Sequence, residues 1–322
     1  MTGRLRATLT HPGGVLLDRL VVLSGALLLV VAAAFAAYYY LDREPSDDSR
    51  PVDSDIATFE QALRADPNNV EARLSLAALY HAEGRYDESA EQYRFALTLD
   101  EANVPAMVGL GRTLVASGTY EEATGHLLKA VELSEQAGVT GDLAEAAHYY
   151  LGSAYLSLGR PDDAIAHLGR ALAIERGDAD AWYLLGAAYI ESGDYQAAID
   201  ALSQATAFVP KFAEAYEKLA VAYGREGRPA EAQYARGMLS FSLGRFDDAE
   251  RDLTAALDLS PALVAAHVGL GLVGEAEGRT EVAVAAYQQA LELDPENFNA
   301  RAGLARLSVP VPEDSALEGG HP

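Results

Sequence analysis

Cysteine is absent from the 322 residues, so disulfide staples, thiolate zinc sites and cysteine nucleophiles are excluded and the redox compartment stays open. Basic charge is scarce. Lys129, Lys211 and Lys218 are the only lysines, and Lys plus Arg total 24 against 48 for Asp plus Glu. Residues 42–322 hold 21 basic and 47 acidic side chains, a formal charge of −26. Such a surface repels phosphate backbones and anionic headgroups, which argues against nucleic acid as a partner. Catalytic settings are lacking too: there is no HExxH, GxSxG or P-loop. The histidines (His11, His81, His126, His148, His167, His267 and His321) supply no pair spaced as ligands on one helical face, so no metal site is expected. His148 and His267 read as core residues. Gly269-Leu270-Gly271-Leu272-Val273-Gly274 does spell GxGxxG, but that fingerprint needs a strand before it and a turn within it. Here Pro261 precedes a helical pattern whose small positions the glycines fill. Nothing calls for catalysis, a cofactor or a small-molecule substrate.

What the chain has in abundance is repetition. In Ala181–Pro210, Trp182, Leu185, Gly186 and Tyr189 fall at i, i+3, i+4 and i+7 of one helix face, and Gly186 is small enough for another helix to approach closely. Ser192-Gly193-Asp194 stops that helix. A second helix then carries Tyr195, Ala198, Leu202 and Ala205 on one face, and Pro210 ends the unit. The same hairpin recurs from about Val70, Val104, residue 145, residue 213 and Val264. Its turn glycines (Gly84, Gly118, Gly159, Gly193, Gly227, Gly244 and Gly278) are separated by 34, 41, 34, 34, 17 and 34 residues.

This pattern resembles the tetratricopeptide repeat, with its aromatic, Leu, Gly and Tyr on a first helix, Ala and a large residue on a second, and a closing Pro. The resemblance spans about residues 54–307 and implies an all-α solenoid of helical hairpins. Residues 54–67 match only the second half of a repeat and read as an opening cap; a helix from about Phe298 to Leu307 closes the stack. Seven additional residues near Gln136–Asp142 predict a longer loop or an extended helix end. The 17-residue spacing of Gly227 and Gly244 is half a repeat, so Ala230–Leu243 must act as a second helix through Ala232 and as a first helix through Gly237 and Ser240. A break in the superhelix is expected there.

Before the repeats, residues 1–19 are short and basic (Arg4, Arg6, Arg19), and 20–41 form 22 uncharged residues ending in Tyr38-Tyr39-Tyr40, long enough to cross a bilayer. We read a single-pass membrane anchor with the N-terminus cytoplasmic and the repeats outside, since the arginines precede the span and acidic residues follow it. The competing reading is a cleaved secretory signal, because Ala34-Phe35-Ala36 has the small-x-small form of a cleavage site. Residues 42–53, with Pro45 and Pro51, read as an extended tether, 54–308 as the solenoid, and 309–322 as a disordered tail.

The resemblance implies a protein-binding scaffold rather than an enzyme, here in a cell-envelope complex; the alternative is a non-catalytic subunit or assembly factor of a membrane-bound enzyme complex serving the cell wall, cytochromes or secretion. In this family the groove is lined by first helices, which places Leu74, Val108, Arg112, Tyr149, Leu156, Tyr183, Ile190, Val221 and Arg225 on it. These positions are mostly apolar, so the expected partner is an apolar or amphipathic protein segment. Recognition of a terminal carboxylate by lysines and asparagines is not expected, because all five asparagines (Asn68, Asn69, Asn103, Asn297, Asn299) lie at junctions between repeats.

Overall fold

The computed structural model describes residues 51–138 and 141–307. The span at 20–41, the basic stretch before it, the tether up to residue 50 and the tail at 309–322 lie outside the described residues. Among the described residues, no helix is long and apolar enough to cross a membrane.

The described chain is all helix: α1 (Pro51–Ala65), α2 (Val70–Ala82), α3 (Tyr86–Leu99), α4 (Val104–Ala116), α5 (Tyr120–Ala137), α6 (Asp142–Ser157), α7 (Pro161–Ile174), α8 (Ala179–Ser192), α9 (Tyr195–Phe208), α10 (Ala213–Arg225), α11 (Pro229–Ser242), α12 (Phe246–Leu259), α13 (Val264–Ala276), α14 (Thr280–Leu293) and α15 (Phe298–Arg306). The chain divides into compact units at residues 1–58 and 59–322. α1 starts at Pro51, three residues before the expected boundary, because proline is tolerated in a first turn and begins a helix rather than interrupting it. The additional residues after the second repeat lengthen α5 to 18 residues, against 14 for most second helices, and Gly138 caps it in the left-handed region.

Two local devices set the hairpins. The seven turn glycines all have φ between +67° and +85°, a conformation that side chains disfavour, so each helix stops where its partner must begin. Then Asn69, Asn103, Asp178 and Asn297 cap first helices, each side-chain oxygen accepting the N–H three residues on, at 2.9 to 3.1 Å. Three of the asparagines are therefore consumed as caps. The arginine before a second helix is consumed as well: Arg85, Arg160 and Arg228 lie 4.1 to 4.8 Å over Tyr80, Tyr155 and Tyr223, and each pairs with an acid three residues on.

The core is a ladder of small-against-large contacts. Gly111, Gly152, Gly186 and Gly237 face Leu127, Leu168, Leu202 and Leu253, always sixteen residues later, and a Cβ added at any of the four would come closer than 3.0 Å to that leucine. The leucines are fully buried. Gly186→Val is expected to cost about 1–3 kcal/mol, because a filled gap forces α8 and α9 apart. The check is a lower denaturant midpoint at constant m-value; an unchanged midpoint would mean that the pair can separate freely. In the first and last hairpins tyrosine replaces the leucine. Tyr93 meets Gly109, and Tyr287 is held between Gly271 and Gly303.

First helices pack side by side in the order α2, α4, α6, α8, α10. That row then stops. α11 packs against both α10 and α12, and a second row, α11, α13, α15, begins with it. Gly237 of α11 receives Leu253 as first-helix glycines do, at 2.7 Å for an added Cβ, while Ala232 and Ser240 are buried. The dual role expected from the half-repeat spacing is thus present.

Candidate partner-binding groove

The expected groove residues lie on the neighbouring first helices α2, α4, α6, α8 and α10, with unequal exposure. Val108 is only 5 % exposed and belongs to the core, a correction: its place on α4 turns it into the layer containing Leu110 and Leu127. Leu74, Tyr149 and Leu156 are half-buried against that same cluster, and Tyr183 and Ile190 against the next one. Val221 and Arg225 of α10 are exposed. Packing therefore covers part of the half-buried side chains and leaves the rest exposed.

Neighbours that sequence spacing did not reveal give the face its character. The Tyr149 ring meets Tyr150 edge-on at 5.1 Å, and the Tyr183 ring meets Phe212 at 5.2 Å. Burial first, then the negative charge of Asp180, Asp178 and Glu145, raises the pKa of the Tyr149 hydroxyl. Burial and then Glu214 and Glu217 do the same at Tyr183. Glu145 itself is raised by burial and by Asp178, Glu175 and Asp142. The tyrosines thus stand in a negative field. Arg112, one helix earlier on α4, lies near Tyr93 and Tyr150, whose hydroxyl pKa values it pulls down against the effect of burial, and near His81. Its Nε is enclosed without a hydrogen-bond partner, and among the described residues it forms no ion pair. Most carboxylates in question lie at the starts of α6, α8 and α10, where they read from sequence as helix-initiating acids.

Two cavities flank this face. One, of about 740 Å³, opens between the second helices α7 and α9, with Trp182, Leu185 and Tyr189 among its lining residues. The other, of about 370 Å³, lies at the phase break and joins Ser203 and Thr206 of α9 to Tyr234, Met238, Val268 and Leu272 of α11 and α13. Sequence reasoning placed no groove residue beyond Arg225. A first-helix role for α11 carries Tyr234 and Met238 into the equivalent positions, where Tyr234 is half-buried and Met238, 3 % exposed, belongs to the core as Val108 does.

The histidines divide in an unexpected way. His267 Nε2 lies 2.9 Å from the Pro261 carbonyl, as Trp182 Nε1 lies 2.9 Å from the Arg176 carbonyl that it donates to, so both tie a first helix to its preceding loop. His148 is buried instead, its Nδ1 2.9 Å from Nδ1 of His167 across α6 and α7. No single helix carries that pair, so helical spacing could not find it. Among the described residues, no three His, Cys, Asp or Glu side chains come together as metal ligands.

No characterised protein sequence matches the chain. Among solved structures, MamA protein is 27 % identical over 55 % of this chain and 93 % of its own, with a TM-score of 0.49. YrrB, described as a TPR protein with an unusual peptide-binding site, is 21 % identical over 65 % of this chain and 95 % of its own, TM-score 0.46. BtubC from P. vanneervenii is 16 % identical over 61 % and 89 %, TM-score 0.51. Residues 58–91, 104–177, 155–221 and 234–298 match the tetratricopeptide repeat, together more than half of the chain. With the glycine-stopped hairpins and their glycine-to-leucine ladder, these matches assign the chain to the tetratricopeptide repeat family.

Proposed function

We propose that the protein is a membrane-anchored scaffold whose first-helix face holds an apolar or amphipathic segment of a partner protein in a cell-envelope complex. The observation that supports this reading is the pair Tyr149 and Tyr183, half-buried on neighbouring first helices. Rings of this kind are large, stiff and amphipathic, and such anchors dominate interface energies. Each typically contributes ~2 kcal/mol or more, so Tyr149→Ala with Tyr183→Ala should weaken partner recovery at least roughly thirtyfold. The measurement is crosslinked pull-down from native membranes, with circular dichroism to verify the fold. Unchanged recovery with intact helicity would remove the first-helix face as the binding site and favour the acidic second-helix surface.

The anchor is supported by the uncharged run at 20–41 and its arginine-before, acid-after asymmetry. In this reading the repeats are extracytoplasmic. A phosphatase fused after Pro322 should be active and a cytoplasm-only reporter silent; the reverse pattern would make this a cytoplasmic scaffold. Release of the mature protein from membranes would instead favour the cleaved signal.

A further inference from the structure

The cavity of about 370 Å³ at the phase break is built on the repeat register. Met238 of α11, Leu272 of α13 and Arg306 of α15 all line it and follow one another at 34-residue steps, so they mark one level on three successive first helices. Tyr216 and Tyr234 add two rings, and at the edge Ala207, Pro210, Asn299 and Arg306 are exposed. A cleft of this size, apolar with rings and a few polar groups, is of the kind that takes a ligand. At its α15 side stands Arg306, the last residue of the last described helix, with its guanidinium on Glu275 at 2.7 Å. At its α11 side stands Lys211, next to the lining Pro210, with Nζ 5.2 Å from the centroid of the Phe241 ring.

We infer that this cavity is the dock of the chain's own C-terminal segment, Val309-Pro310-Val311-Pro312, with Glu313 and Asp314 reaching Lys211. Arg306 lines the cavity, so the segment starts three residues from its edge. Packed helices lie about 8–10 Å apart, which puts α11 ~16–20 Å from α15. A proline-bearing segment in the polyproline conformation advances ~3.1 Å per residue, so the six steps from Leu307 to Glu313 cover ~19 Å. Reach and register agree: the valines and prolines cross Leu272 and Met238, and the acids arrive beside Lys211. Val-Pro-Val-Pro suits such a cleft, because prolines pack on tyrosine rings, lose little freedom on binding and carry no N–H to bury unpaired. Charge favours the same place. An acidic run is repelled by a chain of formal charge −24, and a lysine at the end of an apolar cleft is where it is attracted. Tethering at Leu307 also gives the segment an effective concentration on the order of millimolar, which favours it over a free competitor. The tail expected to be free from residue 309 is then held as far as Asp314. This concerns the second row of first helices and does not depend on the reading of Tyr149 and Tyr183.

The absence of cysteine permits a direct test on the full chain in detergent. Ser315→Cys, just past the acids, is combined with Ala207→Cys, which lines this cavity on α9, or with Gln204→Cys, which lines the other cavity on the opposite flank of the same helix. Both α9 positions are exposed, so a difference in rate reports where the tail lies. Under one mild oxidant the Ala207 pair should close an intramolecular disulfide at least about tenfold faster than the Gln204 pair. Adding Val309→Ser with Val311→Ser should bring the two rates together. Lys211→Gln should slow the Ala207 pair about two- to threefold, and less at high salt. Equal rates for the two pairs, or a preference that survives the serine substitutions, would overturn the docking. A disulfide that forms between molecules and fades on dilution would overturn it as well, by giving the cavity to the tail of a second copy.

Discussion

Tyr287→Ala should release the last three helices while the rest of the solenoid stays folded. The Tyr287 side chain is fully buried between Gly271 of α13 and Gly303 of α15, and its hydroxyl donates to Glu275, which also holds Arg306 of α15. One ring therefore joins α13, α14 and α15. Replacement by alanine leaves a cavity between two glycines that have no side chains to fill it, and it strips Glu275 of a donor. Truncations of this size typically cost about 3–5 kcal/mol. In a solenoid each repeat is stabilised by its neighbours, so the loss is local. Hydrogen exchange should accelerate at Val264–Arg306 by two or more orders of magnitude, on the order of the factor that 3 kcal/mol implies, with protection retained in α2–α9. Uniform acceleration would show one cooperative unit, and no acceleration would show that the ring is not the joint.

The second large effect is loss of stability in acid. His148 has its pKa lowered from 6.5 to about 4, first by burial, then by His167 and Arg170; His167 is also lowered, first by burial and then by Arg170. The other charges facing the pair are Glu135 on α5 and Asp163 on α7. At Nδ1 of this pair one ring must donate and the other accept, so protonating both breaks the contact. Because the folded pKa is depressed, the unfolded chain takes the proton first. The stabilisation is complete above pH ~6.5, declines as pH falls toward ~4 and is lost below that. The drop at His148 corresponds to about 3 kcal/mol. Denaturation between pH 7 and pH 4 should therefore show the wild type losing about 3 kcal/mol more than His148→Phe, which has no such proton to bind. Comparing the two cancels the relief of carboxylate repulsion that acid brings to both. Parallel pH profiles would rule out the pair as the cause.

The hairpins were legible in the sequence because their determinants are local. A glycine with positive φ ends a helix wherever it stands, an Asn or Asp at the next start caps the following one, and a sixteen-residue step from Gly186 to Leu202 is set by the length of one turn and two helix segments. The half-repeat between Gly227 and Gly244 was legible for the same reason: counting alone requires α11 to serve two partners. The tertiary structure decided which side chains of a helix face remain open. Val108 and Arg112 are one turn apart on α4, yet the first is core and the second stands beside the tyrosines of α3 and α6. It also decided the encounters between helices, His148 with His167 and Tyr183 with Glu214 and Glu217. Periodicity reports a direction around one helix axis. Exposure and electrostatic neighbourhood depend on how closely, and at what rotation, the next helix approaches, and that is settled only when the repeats stack.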